Sequence, residues 1–203
     1  MEFQGNSFQK ALEYEQSMIP RADEAYLNLF SRVGHELVIT RYDYNDPVGR
    51  KMQKNGADLK LTLKDEYGNS SNLTISEKFR SADWGDMFVE LYSQYPKVQG
   101  WGVTSQGVDF IAYFTPEKLY FVNYSDLLNV ASDILFTHSI GMHSEISDSF
   151  LEHNRNDCRH TISLKVIPTY TNADKPAWNG VGVGITWEAL KDWGVKYLEF
   201  DLE

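Results

Sequence analysis

The sequence predicts an α/β domain whose mixed central sheet is flanked by helices. Three observations carry that expectation: a long helical pattern at the N-terminus, a hairpin with strict apolar and polar alternation after it, and two aromatic strands followed by a further helix. A chain of 203 residues with 42% hydrophobic and 14% aromatic content can bury a substantial core. Its length fits one domain with an elaboration. The expected organisation is a single domain over residues 1–203, with an N-terminal helical segment (1–34), a core (35–134), an inserted loop (135–160) and a C-terminal strand and helix elaboration (161–203).

Residues 7–33 form the helical pattern, which Pro20 is expected to interrupt; beyond it Ala22, Ala25, Tyr26, Leu29 and Phe30 keep a helical spacing. Residues 36–42, β-branched and aromatic, should open the sheet. A loop carrying Arg50, Lys51 and Lys54 then leads into the hairpin of residues 57–80, where Leu59, Leu61 and Leu63 alternate with Asp58, Lys60, Thr62 and Lys64. Residues 65–70 supply the turn, and Leu73, Ile75 and Phe79 resume the alternation. The two strands are therefore antiparallel, and Asp58 comes close to Glu77 and Lys78. Residues 85–94 read as a helix, 108–114 and 119–122 as strands, and Ser125 as the start of another helix. Residues 161–167 read as a strand and 187–193 as a short helix capped by Thr186. The glycines of residues 180–184 read as a flexible or tightly packed turn, since they lack the GK[ST] ending of a phosphate loop and the spacing of a dinucleotide fingerprint.

Two carboxylates and a lysine at one place suit phosphodiester hydrolysis, because carboxylate oxygens are hard ligands that hold Mg²⁺ while leaving it several waters. Such an ion lowers the pKa of a bound water, and a lysine ammonium adds a donor to the phosphate or the nucleophile. Asp58 on one strand and Glu77-Lys78 on the next resemble the PD-(D/E)XK nuclease superfamily, and the order of elements is similar to its restriction-endonuclease-like αβββαβ core. The likeness covers roughly residues 24–124. The strand end Glu77-Lys78-Phe79-Arg80, then Gly100-Trp101, then the strand opening at Asp109, resembles small phage and bacterial members.

That resemblance implies an endonuclease acting on DNA, with Mg²⁺ (or Mn²⁺ as substitute) held by Asp58 and one of Glu77 or Glu90, and with Lys78 positioning or activating the water. Glu24 on the N-terminal helix would be a further carboxylate near the metal. The family motif sets an acid two residues before the lysine, on the same face of the strand; here that residue is Ser76. Alternation sends Glu77 to the side of Ile75 and Phe79, so it reaches the metal only where a bulge or strand end re-aims it. Glu90, expected on the helix after the lysine strand, is the other solution. The same departure leaves open an inactive member that binds nucleic acid or protein, and an unrelated acidic interaction protein stands beside both.

The formal net charge is −10, which opposes phosphate attraction, yet residues 41–80 hold eight basic and six acidic residues, +2, and the remainder is −12. Arg50, Lys51, Lys54 and Arg80 thus gather beside the suspected site, where they meet backbone phosphates or merely solvate a loop. A single cysteine, Cys158, excludes an intrachain disulfide and a cysteine zinc cage. His138, His143, His153 and His160 crowd near it without the spacing of a zinc motif, which favours a loop insertion with solvated histidines; a loop that covers the cleft is the alternative. No apolar run spans a bilayer and the N-terminus lacks a signal pattern, so the expectation is a cytoplasmic protein without membrane contact, and a homodimer is compatible with it.

Overall fold

The computed structural model describes residues 5–32, 34–104, 107–137, 162–170 and 176–202. In chain order the elements are α1 (Gly5–Ser31), β1 (Glu36–Arg41), α2 (Pro47–Lys54), β2 (Leu59–Lys64), β3 (Ser70–Phe79), β4 (Asp86–Gln94), β5 (Val98–Gln99), α3 (Trp101–Thr104), β6 (Phe110–Phe114), β7 (Lys118–Asn123), α4 (Tyr124–Thr137), β8 (Ile162–Tyr170), β9 (Pro176–Thr186), α5 (Trp187–Asp192) and β10 (Tyr197–Asp201). They form two compact units: one of Met1–Asp83, Gln106–Val122 and Leu198–Glu203, the other of Trp84–Ser105 and Asn123–Tyr197. The inserted loop with His138, His143, His153, Cys158 and His160 falls outside the described residues. None of the described helices is long and apolar enough to cross a membrane.

The first unit holds a six-stranded mixed sheet in the order β1-β2-β3-β6-β7-β10. β1, β2 and β3 run antiparallel, with Leu59 opposite Ile75 at the last pairing of the hairpin, whereas β3 and β6 are parallel from Ile75–Phe110 to Phe79–Phe114. An α/β architecture with a mixed sheet is therefore what the chain adopts. The hairpin is the one that alternation predicts: Leu59, Leu61 and Leu63 are buried while Lys60, Thr62 and Lys64 are half-exposed. Its turn is closed by Asp65, whose Oδ1 accepts from the N–H groups of Tyr67 and Asn69 at 2.9 and 2.8 Å, and Gly68 adopts φ 82° there.

α1 does not break at Pro20. It is continuous over 27 residues with Pro20 inside; Met18, Ala22 and Tyr26, four residues apart, are buried, and this packing outweighs the hydrogen bond that proline removes. Ala22 and Tyr26 join Leu59, Leu61, Ile75, Ala112, Phe114, Leu119 and Phe121 in one core. Tyr26 meets Phe114 edge to face at 5.9 Å between centroids. The residues that read as a loop before the hairpin are in fact a helix, α2, because Asp46 caps it by accepting from the Gly49 N–H at 2.7 Å and Pro47 stands at its first turn.

The second unit holds a four-stranded sheet in the order β5-β4-β9-β8. Residues 85–94, expected to be helical, form β4. Met87, Val89 and Leu91 are buried in alternation with half-buried Phe88 and Glu90, a period of two that the sequence carries and the helix reading overlooked. The glycines of residues 180–184 are not a turn either. They lie inside β9, paired on one side with β4 and on the other with β8. The close approach expected of them is present, since a Cβ on Gly182 would stand 2.3 Å from Phe88 Cζ and 2.8 Å from the Val89 carbonyl. Helix α4 starts slightly before Ser125, with the Asn123 side chain accepting from the Asp126 N–H at 3.1 Å, and Thr186 caps α5 as expected.

Gly182→Ala is expected to lower the stability of the second unit by about 1–3 kcal/mol through overpacking. Thermal unfolding followed by circular dichroism checks this; an unchanged midpoint would show that Phe88 and β4 yield freely.

Candidate functional site

β2 starts pairing with β3 only at Leu59–Ile75, while β3 runs on beside β6 to Phe79. Backbone direction alternates along a strand, so the N–H and C=O of Glu77 point to the side where β2 has already ended. Side chains meet them there. The Asp58 carboxylate, at the head of β2, accepts from the Glu77 N–H at 2.7 Å and from Ser76 Oγ at 3.2 Å, both on Oδ2. Lys78 Nζ donates to the Glu77 carbonyl at 3.0 Å and to Ser76 Oγ at 3.0 Å, and lies 4.0 Å from Asp58 Oδ2. Asp58 itself is fixed by backbone bonds: its N–H donates to the Ile75 carbonyl at 2.8 Å, and its carbonyl accepts from the Tyr42 N–H at 3.0 Å.

The structure thus brings Asp58 and Lys78 together at the open end of the hairpin, on one face, with Ser76 between them. Glu77 takes part through its peptide groups and not through its carboxylate. Its side chain leaves the opposite face, as alternation requires, and is 8% exposed. There Arg41 donates from Nη1 to Oε2 at 2.6 Å and from Nη2 to Oε1 at 3.2 Å, and the Tyr26 hydroxyl donates to Oε1 at 3.0 Å. Arg41 also donates to Asp23 Oδ1, from Nη2 at 2.7 Å and from Nε at 3.2 Å.

Burial pushes the Glu77 carboxyl above the usual carboxylate range; the hydrogen bonds and charge of Arg41 and the Tyr26 hydroxyl oppose this, and Asp58 adds to it. Burial would lower the Arg41 guanidinium, but its bonds and charge interactions with Glu77 and Asp23 raise it. The Tyr26 phenol is raised well above its ordinary value by burial first and by Glu77 next.

The other candidates are dispersed. Glu90 is on β4 and not on a helix, in the second unit, where its Oε2 accepts from the Trp101 N–H at 3.4 Å. Glu24 borders a small hollow of about 40 Å³ with Arg21, Arg32 and Asp201. On α1 the Glu15 carboxyl is raised above its usual range, by burial first, with Lys78 lowering it and Asp58 raising it. Arg50, Lys51 and Lys54 are exposed on α2, with the Arg50 guanidinium 5.2 Å from the Tyr44 ring centroid. Gln53 anchors that helix by donating to the Tyr42 carbonyl at 2.7 Å, and Arg80 is half-buried at the end of β3, its carbonyl accepting from Tyr14 at 2.9 Å.

Comparison of the chain with protein-family models, curated proteins and solved structures gives no match. The site is therefore interpreted from its own chemistry.

Glu77→Ala leaves Arg41 short of its buried partner and the Tyr26 hydroxyl without its acceptor, and is expected to cost about 3–5 kcal/mol. Chemical denaturation measures this. Glu77→Gln is milder and tests the charge. Because the folded-state pKa of Glu77 is raised, its contribution is fully present below the ordinary carboxyl range and declines as pH rises through the folded value. The thermal midpoint of wild type minus that of Glu77→Gln should accordingly fall between acid and neutral pH; a difference that grows would overturn the assignment.

Proposed function

We propose that the chain is a divalent-cation-dependent phosphodiesterase acting on DNA, an endonuclease of the PD-(D/E)XK type. The observation that carries this reading is the convergence of the Asp58 carboxylate, the Ser76 hydroxyl, the Glu77 carbonyl and the Lys78 ammonium at one strand end. These oxygens already surround a cation, Lys78 Nζ. They are the hard donors that Mg²⁺ takes, and Mg²⁺ is commonly held by one or two carboxylates together with waters and substrate phosphate oxygens. Asp58 would hold it, with Ser76 Oγ and the Glu77 carbonyl as neutral donors. Bound there, Mg²⁺ or Mn²⁺ supplies an acidified water and charge neutralisation at phosphorus. Lys78 donates to a phosphate oxygen or to the attacking water. Arg50, Lys51 and Lys54 on α2, with Arg80, engage flanking phosphates.

A second reading rests on Ser76, which stands where the family motif has an acid. That departure favours a module that binds nucleic acid without cleaving.

Cleavage of single-stranded, double-stranded and branched DNA in Mg²⁺, Mn²⁺ or EDTA separates the two readings. The nuclease reading expects cleavage that EDTA abolishes and that Asp58→Ala and Lys78→Ala each reduce by about 10²–10³-fold. Binding without cleavage under every condition selects the module. Metal occupancy has an independent readout: Mg²⁺ at roughly ten times its Kd stabilises the folded state by about 1.4 kcal/mol. The midpoint then rises on the order of a few degrees. Asp58→Asn, whose amide oxygen can still accept from the Glu77 N–H, should abolish that rise; a wild-type protein indifferent to both ions contradicts the metal assignment.

A further inference from the structure

We propose that Arg41, Tyr26 and the Glu77 side chain form a clamp, on the face of β3 opposite the Asp58–Lys78 cluster, that positions this cluster. As a statement about catalysis this rests on the phosphodiesterase reading; as a statement about geometry it does not. The N–H of Glu77 holds Asp58 Oδ2 and its carbonyl holds Lys78 Nζ, so the orientation of the peptides on either side of Glu77 sets the distance between the two groups. These peptides belong to a part of β3 that β2 no longer flanks. Backbone pairing on that side cannot fix them. Pairing with β6 holds the other edge of these peptides, and the Glu77 side chain adds a second anchor, held at both oxygens by the two-pronged Arg41 and at Oε1 by Tyr26.

Arg41 also acts on Asp58. It is the last residue of β1, and the next N–H in the chain, that of Tyr42, holds the Asp58 carbonyl. One short stretch of chain therefore orients Asp58 through its backbone and the Glu77 peptides through a side chain. Asp23 on α1 accepts from Arg41 Nε and Nη2, and Tyr26, on the same helix, is fully buried. The clamp therefore ties α1, β1 and β3 into one rigid frame behind the site. Arg41 and Tyr26 are positioning residues. Neither is assigned a contact with metal or phosphate.

Arg41→Lys and Tyr26→Phe test this, with Lys64→Gln as a control that removes only the surface pair of Lys64 with Glu36. Two measurements are made at a temperature where each variant is fully folded: amide hydrogen exchange resolved by residue, and single-turnover DNA cleavage at saturating Mn²⁺. A clamp predicts that Arg41→Lys speeds exchange at the Glu77 amide by about 10–100-fold and lowers the cleavage rate by a similar factor, while the Leu61 and Leu73 amides within the hairpin keep the wild-type rate. Tyr26→Phe should give a smaller effect in the same direction, and Lys64→Gln none.

A merely structural role would speed exchange at Leu61, Leu73 and Glu77 alike, and that result overturns the proposal. So does wild-type exchange at Glu77 in both Arg41→Lys and Tyr26→Phe. Should the wild-type protein not cleave DNA with Mn²⁺, the phosphodiesterase reading fails and the exchange data alone decide the clamp. Should Arg41→Lys not fold, Tyr26→Phe, which keeps the ring in the core, decides both arms.

Discussion

The end of β2 governs the chemistry of the first unit. β3 extends past the Leu59–Ile75 pairing with one neighbour, β6, so the N–H and C=O of Glu77 face a side with no strand to receive them. Backbone groups left in such a position cost free energy unless side chains or water pair with them. Asp58 pairs with the N–H and Lys78 with the C=O. The loss of sheet pairing thus does two things at once. It leaves space at the strand end, and it draws a carboxylate and an ammonium into that space.

The same strand carries charge on both faces, and the two faces obey different rules. Glu77 is among buried residues, where an ionised carboxylate persists only with partners; Arg41 and Tyr26 provide them, and Asp23 accepts from Arg41 in turn. Lys78 and Asp58 lie on the face where both are more open, and their closest approach is 4.0 Å. An ion pair at that distance and exposure contributes little to stability. Its arrangement is maintained from elsewhere: pairing with β6 holds the strand itself, and the proposed clamp on the far side of β3 adds to it.

Much of this was legible in the sequence because a period of two is a strong physical signal. The leucines of β2 fixed the hairpin, and alternation through Ile75, Glu77 and Phe79 assigned Glu77 to the core face and Ser76 and Lys78 to the other. What alternation could not show was the partner of Glu77. Arg41 lies 36 residues earlier and meets it only because β1 and β3 flank β2. Over β4 the helix propensity of Glu90 and Leu91 competes with the alternation of Met87, Val89 and Leu91, and the period prevails. The start of α2 is legible in Asp46-Pro47, a cap followed by a proline at the first turn.

On the proposed reading, Lys78 has two competing uses. Its ammonium faces the Asp58 carboxylate and donates to the Ser76 hydroxyl and the Glu77 carbonyl, so a divalent cation entering among the same oxygens meets a positive charge a few ångströms away. With Ser76 in place of an acid, fewer negative charges offset that repulsion. A phosphodiester relieves it, because each phosphate brings a negative charge that both the cation and Lys78 can face. Cation and DNA should therefore bind with positive coupling, each raising the affinity of the other by the same factor. The +2 balance of residues 41–80 within a chain of net charge −10 acts in the same direction, for it brings phosphate to the one region where a cation needs it.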